Sequence, residues 1–213
     1  KSIMCARAAK MWDLPEEAVE WVDGAVQPCG PNAGDFPAVS IAEIAGKAPQ
    51  TGGPIAGHCE VNAEGAGVSF AAHIADVEVD EDTGRTTVHR YTVVQDAGKA
   101  IHPAYVEGQY QGGAAQGIGW ALNEGYVYGD DGLMQNPGFL DYRIPVCSDL
   151  PMIDTEIIEI PNKGHPYGVR GVGETSIVPP LATIANAIRS ATGVRVNQVP
   201  MAPPVVLKAL EES

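Results

Sequence analysis

Basic residues are scarce in this chain: 13 lysines and arginines stand against 27 aspartates and glutamates, a formal charge of −14 over 213 residues. Nucleic acid and anionic membrane surfaces both require a basic footprint, so this balance argues against either as a partner. Cysteine is also sparse. Cys5, Cys29, Cys59 and Cys147 are far apart and form no Cys-x-x-Cys pair. That spacing argues against a zinc site, iron–sulfur ligation by this chain and a secreted disulfide framework, and a reducing cytoplasm is the expected location. No apolar run reaches the ~20 residues that span a bilayer, and the N-terminus does not read as a secretory signal. An initiator methionine is missing as well. Lys1 to Trp12 already reads as helix, with Met4, Ala8 and Met11 on one face and no N-cap ahead of it. The expectation is a chain that starts partway through a larger polypeptide, or one piece of a split one.

The rest of the chain mixes hairpins with helices. Val19 to Val26 reads as a hairpin around Asp23-Gly24, a strong two-residue turn signal. Ser40 to Ala48 reads as a short helix, with Ser40 as N-cap and Glu43 at the capping-box position. A glycine-rich loop follows from Gly52 to Gly67. Phe70 to Asp80 and Thr86 to Asp96 are the clearest strands: Ala75, Val77 and Val79 alternate with Asp76, Glu78 and Asp80, one face buried and one wet. The tip at Asp82-Thr-Gly84 is a poor calcium loop, since its glycine and its twelfth residue are both wrong for one. Glu124 to Pro145 reads as a second hairpin turning at Gly129-Asp-Asp-Gly132, with Tyr126, Tyr128, Phe139 and Tyr142 packed in its core or, as the alternative, lining an interface or a substrate funnel. Ile153 to Ile160 reads as a strand, and Pro179 to Thr192 and Pro204 to Glu211 as helices. Hairpins among helices, without βαβ alternation, give an α+β fold.

Two segments stand out. The helix from Pro103 to Leu122 contains five glycines: Gly108, Gly112, Gly113, Gly117 and Gly119. Each costs ~1 kcal/mol against alanine, so something must approach that helix closely, either another helix or a ligand. The second segment is Gly168-Val-Arg-Gly-Val-Gly-Glu174-Thr-Ser, which delivers one carboxylate on a tight turn just before a proline-started helix. The turn is not a phosphate loop, because Glu174 stands where the phosphate-binding lysine belongs. Nor is it a dinucleotide fingerprint, because Ser176 replaces the third glycine and no strand precedes it. Residue types alone leave two roles open for Glu174: a carboxylate that does chemistry, or a cap on the helix behind it.

Three motifs in order now point to a family. Asp96-x-Gly98-x-x-Ile101-x-Pro103 comes first. Gly108-Gln109-x-x-Gly112-Gly113-x-x-Gln116-Gly117-Ile-Gly119 follows, and then Gly171-Val-Gly173-Glu174 with Pro-Pro and Ala-Asn-Ala-Ile behind it. Together they resemble the molybdenum hydroxylases, the xanthine dehydrogenase and aldehyde oxidase family, in the C-terminal portion of the large molybdopterin-binding subunit. The resemblance runs over nearly the whole chain and is densest from about residue 70 to 190, so residues 1–213 are taken as one part of the molybdopterin-binding region. It implies that Glu174 is a catalytic general base on a metal-bound hydroxyl, whose oxygen attacks a carbon beside a ring nitrogen or in an aldehyde. Hydride passes to molybdenum and electrons to iron–sulfur clusters. It implies that Gln109 hydrogen-bonds the pterin, with Gly108 and Gly173 at the cofactor. It also implies that molybdenum is held through the pterin, with no side chain of this chain as a metal ligand.

The resemblance further implies molybdopterin in its cytosine dinucleotide form, with [2Fe–2S] clusters and FAD on other subunits. The expected partners are the remaining part of the molybdopterin subunit, an iron–sulfur subunit, an FAD subunit in some members, and a small-molecule substrate. The carbon monoxide dehydrogenase branch fits less well, since it carries an extra cysteine ligand on a loop without counterpart here. A reading from a different class is a non-catalytic binding or assembly module that retains the fold. From residue type alone, Asp96 reads as a turn residue, Gln116, His102 and His165 as structural, and Arg143 and Arg170 as members of ordinary ion pairs.

Overall fold

Helix α1 (Ser2–Trp12) buries Ala8 and Ala9 and ends at Asp13, whose left-handed backbone (φ 55°) stops it. The computed structural model describes residues 1–213 except Glu64 and Ala66, so part of the glycine-rich stretch 52–67 lies outside the described residues. It divides into two units, Lys1–Val61 and Asn62–Ser213. In the first unit, β1 (Val19–Val22) and β2 (Ala25–Pro28) form the hairpin read from Asp23-Gly24. Both turn residues take positive φ, 44° and 87°, as this two-residue turn requires. Strand β3 (Val39–Ser40) adds to β2 and leads into α2 (Ile41–Gly46). The capping box is complete: the Glu43 amide donates to Ser40 Oγ at 3.3 Å, and the Ser40 amide donates to Glu43 Oε2 at 2.8 Å. A short α3 (Ala48–Thr51) follows. Ala8, Ala9, Val19, Val26, Val39 and Ile44 make this unit's core.

The second unit is built on a three-stranded sheet in the order β4 (Ala71–Val79), β5 (Thr86–Asp96), β6 (Ile153–Ile158). β4 and β5 are antiparallel, while β5 and β6 are parallel. The long connection from β5 to β6 contains α4 (Pro103–Leu122). Val106, Tyr110, Ala114, Ile118, Ala121 and Leu122 are the buried stripe of that helix, at the three-and-four spacing of one helix face. They pack with Tyr91, Val93 and Ile153 of the sheet and with Ile184 and Ile188 of α5 (Pro180–Thr192). Pro180 occupies the first turn of α5, and Gly193, at φ 81°, ends it. Helix α6 (Pro203–Glu211) closes the chain, and its residues Pro203 and Leu207 pack on Gly84 at the β4–β5 tip.

The expected second hairpin is not formed. Between Glu124 and Pro145 the ladder reduces to one bridge, Tyr128 to Met134. The Asn136 side chain replaces further ladder bonds: its Oδ1 accepts from the Val127 amide at 2.9 Å and its Nδ2 donates to the Gly125 carbonyl at 2.7 Å. The aromatic residues there do not form a core. Phe139 is 93% exposed, and Tyr126 and Tyr128 are also exposed. Tyr126, Phe139 and Tyr142 instead line a shallow groove with Met134 and Asn136. Without two continuous strands there is no second layer to cover them. No helix among the described residues is long and apolar enough to cross a membrane.

Candidate functional site

The turn that carries Glu174 is fixed at both ends. At its start, Asp96 is 5% exposed. Its carboxylate accepts from the amides of Gly98 at 2.8 Å and Ile160 at 3.1 Å. The Arg170 guanidinium lies 2.7 Å from its other oxygen, with both side chains largely buried. The backbones then interlock: the Lys99 amide donates to the Gly168 carbonyl at 2.9 Å, and the Arg170 amide donates to the Ala97 carbonyl at 3.1 Å. Gly98 has to be glycine on two counts. Its φ is 64°, and a Cβ there would lie 2.8 Å from the Arg170 amide nitrogen. Arg170 is therefore spent on Asp96, and Arg143 pairs with Asp149 at 2.9 Å. The Asp149 carboxyl is held below its usual range by the Val146 amide and by Arg143.

At its far end the turn is fastened to α4. Ser176 is fully buried, and its hydroxyl donates to the Gln109 carbonyl at 3.1 Å. Residue patterning gave no sign of this bond, since a lone serine beside a glycine turn carries no periodic signal. The glycines of α4 make the approach possible. A Cβ on Gly113 would lie 2.9 Å from Ser176 Cβ, and one on Gly117 would lie 2.5 Å from Pro180 Cβ. Gly119 meets Pro145 and the Glu124 side chain in the same way. Gly108 and Gly112 are different: nothing lies within 4 Å of a Cβ built on either. With Gln109 and Gln116 they form an exposed stripe along one side of α4.

Docking the turn on α4 brings three of the predicted site residues together. Gln109 Oε1 would lie 3.6 Å from a Cβ at Gly173, and Glu174 follows directly. Gly108 adjoins Gln109 on the same exposed stripe. Glu174 heads a single 3-10 turn, Thr175–Ile177, but its side chain makes no capping hydrogen bond. The carboxylate is therefore not spent on a capping hydrogen bond. Among the described residues, neither the Glu174 carboxylate nor the Gln109 amide has a hydrogen-bond partner. Glu174 lines a cavity of about 380 Å³ with Ser69, Phe70, Ala71, Thr175, Val178 and Pro179. Phe70 and Val178 are each more than 70% exposed, so the cavity has an apolar rim. A larger depression of about 510 Å³ lies by Arg85, Arg143 and Asp149 and contains none of the motif residues.

Other polar residues have settled roles. His102 Nδ1 accepts from the Tyr105 amide at 3.3 Å and caps α4, with its ring stacked on Tyr105 at 4.0 Å. Gln111 Nε2 donates to the Ile153 carbonyl at 3.2 Å and ties α4 to β6. An open glycine stripe with an unpartnered amide has the chemistry to receive a flat polar group; the Gln109 amide lines a hollow of about 210 Å³ with Arg170 and Val172, next along the turn from the cavity that Glu174 lines. The glycines allow close approach, and the amide supplies a donor and an acceptor.

A family described as the molybdopterin cofactor-binding domain matches residues 1–151. The chain belongs to the molybdenum hydroxylases, within their molybdopterin-binding domains. The match includes Gly108 and Gln109 and stops short of Gly173 and Glu174. Among molybdenum hydroxylase sequences, the xanthine dehydrogenase molybdenum-binding subunit of Escherichia coli O157:H7 is 34% identical over 171 residues, 78% of this chain and 23% of the relative. Quinoline 2-oxidoreductase from Pseudomonas putida 86 superposes with a TM-score of 0.78 at 26% identity, over 99% of this chain and 28% of that one. The Cu,Mo-carbon monoxide dehydrogenase superposes with a TM-score of 0.81 at 24% identity, over 99% of this chain and 27% of that one, which is a likeness of fold. The chain spans about a quarter of the length of these molybdenum hydroxylase relatives.

Proposed function

We propose that this chain contributes part of the active site of a molybdenum-dependent hydroxylase or dehydrogenase. In this reading the whole enzyme oxidises an N-heteroaromatic compound or an aldehyde with oxygen derived from water. Electrons then pass to [2Fe–2S] clusters, and to FAD where present, on partner subunits. Residues 1–213 form part of the molybdopterin-binding region, and the remainder of the large subunit completes the pocket. The observation that carries the reading is the convergence of the Gln109 amide and the Gly173-Glu174 turn at one exposed place, locked there by the bond from Ser176 to the Gln109 backbone.

The bound molybdopterin, in its cytosine dinucleotide form, supplies the redox-active centre at which substrate is oxidised. The chain's own residues do the rest. Gln109 holds the pterin edge by hydrogen bonds, and Gly108 and Gly173 let it lie against backbone. Glu174, the catalytic residue, takes the proton released in the reaction at its carboxylate oxygen. The Asp96–Arg170 pair and Ser176 hold the backbone of the turn that presents that oxygen, as a positioned general base requires. Phe70 and Val178, at the rim, exclude water from a bound planar substrate.

The test uses the native complex that contains this chain, wild type and Glu174→Gln, with metal and pterin analysis of both. Expected is equal molybdenum and pterin in each, with turnover of N-heteroaromatics falling about 10²–10⁴-fold in the variant, the range of a positioned general base. Turnover that survives the substitution, or a complex from a competent host without molybdenum, overturns the reading. Aldehydes assayed in parallel separate the two substrate classes.

A further inference from the structure

Gln95 is an anomaly in the sheet beside the site. It is 1% exposed, yet neither its Oε1 nor its Nε2 meets a hydrogen-bond partner among the described residues. Exchanging the amide's two atoms mends nothing, because both are unpaired. A buried amide in that state is costly, and native proteins resolve such cases with a bonded partner or an ordered water. One neighbour shares the problem. His73 Nδ1 bonds the Tyr91 hydroxyl at 2.9 Å, while its Nε2 is buried without a partner. Burial holds His73 at a pKa of about 4, so the ring is neutral and offers one donor and one acceptor.

The strand register places these groups together. Ala71 pairs with Gln95, His73 with Val93 and Ala75 with Tyr91. Side chains at alternate positions share a face, so Ala71, His73, Tyr91 and Gln95 all project on the side of the sheet that carries α5. His73 is one diagonal step from both Tyr91 and Gln95. Across from them, Thr183 of α5 brings its hydroxyl to Tyr91 and donates to the Pro179 carbonyl at 2.9 Å. Two of these neighbours border the Glu174 cavity. Ala71, opposite Gln95, forms part of its wall with a single methyl, and Pro179 is another wall residue. Through Ala71 and Pro179 the polar cluster adjoins the wall of the cavity, and Tyr91 and Val93 beside it belong to the core.

We propose that Gln95 and His73 hold an internal water that opens onto the Glu174 cavity, and that Gln95 is a positioning residue for Glu174 through that water. Water suits the cluster: it donates and accepts, is small enough to lie behind an alanine, and needs two to four polar partners. A cation is disfavoured, because the cluster has no carboxylate. An anion is disfavoured, because the ring is neutral. The water then gives the Glu174 carboxylate, which has no protein partner, a fixed donor on the interior side. The inference rests on the reading of Glu174 as the proton acceptor.

The test is a crystal structure of the native complex, with kinetics of Gln95→Leu, which keeps the size without polarity, and Gln95→Asn, which keeps the amide. Expected is an ordered water bonded to Gln95, retained in the Asn variant and lost in the Leu variant. Gln95→Leu should lower kcat about tenfold with KM changed less than about twofold, the signature of a displaced reacting group. Gln95→Asn should recover most of that loss. A Gln95 amide bonded directly to protein groups overturns the proposal, as does a Leu variant of unchanged kcat and raised melting temperature. If the Leu variant does not fold, the wild-type structure and the Asn variant decide. Loss of turnover in Glu174→Gln with full turnover in Gln95→Leu removes the water's role alone. Full turnover in Glu174→Gln removes the reading on which it rests.

Discussion

Helix α4 has two glycine-bearing sides, and they serve different ends. On one side Gly113 and Gly117 lie against Ser176 and Pro180, at separations that a Cβ would violate; Gly119, two turns beyond Gly112, is packed against Pro145 near the helix end. On the other, Gly108 and Gly112 face open space next to Gln109. The first side explains itself within the chain, since missing side chains let a turn and a helix come close. The second explains nothing within the chain, and each of its glycines costs helix stability. That cost, on an exposed, amide-bearing stripe, is what motivates the proposal that the stripe binds a cofactor. The two sides are also coupled. The packed side sets the position of the Glu174 turn, and in the proposed reading the open side is where the pterin lies relative to it.

The sharpest way to break the packed side is at the start of the turn. Arg170→Met leaves the Asp96 carboxylate buried at 5% exposure without its guanidinium partner. An uncompensated buried charge costs about 3 kcal/mol or more. The unfolding midpoint should fall accordingly, and turnover should fall with it, since the start of the turn then keeps only its backbone bonds to Ala97 and Lys99. Equal stability in denaturant titration of wild type and variant would show that the pair does not fix the turn.

A smaller effect is expected from Gly117→Ala. The new methyl would lie 2.5 Å from Pro180 Cβ, and a proline ring at a helix start has little room to give. Overpacking of this kind costs about 1–3 kcal/mol. The displacement should reach the Ser176 bond to Gln109, so activity should drop more than cofactor content. A variant as stable as wild type in thermal unfolding would mean that the close approach is incidental.

How much of this could be read from the sequence follows the same division. Local rules had local answers: the Asp23-Gly24 hairpin, the Ser40–Glu43 capping box and the β4–β5 alternation depend on neighbours within a few residues, and all were legible. The glycine cost of α4 was legible too, as a demand for close approach, but not which glycine meets protein and which meets open space. That depends on contacts with residues far along the chain, such as Pro145, Ser176 and Pro180. Asp96 read correctly as a turn residue, while its burial against Arg170 depends on a long-range interlock. The Glu124–Pro145 segment misled because its turn signal at Gly129–Gly132 is real, while Asn136 takes over the backbone bonds that strands would have used. Gln95 gave no signal at all, because an amide at an inward strand position reads as an exception to alternation, not as a site.

The smallest expected change in stability tests the open side, and it has the opposite sign. Gly108→Ala and Gly112→Ala place methyls where nothing lies within 4 Å. Replacing glycine by alanine in a helix interior is favourable by about 0.5–1 kcal/mol per site. The cofactor-free protein should therefore gain stability with either change. If the stripe receives the pterin, the same methyls stand where the ligand must touch backbone, and the pterin and molybdenum content of the purified complex should fall. Stability up with cofactor down is a combination that a purely structural helix face does not produce. A complex that is more stable and fully loaded would instead make the open glycines neutral surface, and would leave Gln109 and Glu174 as the whole of this chain's contribution to the site.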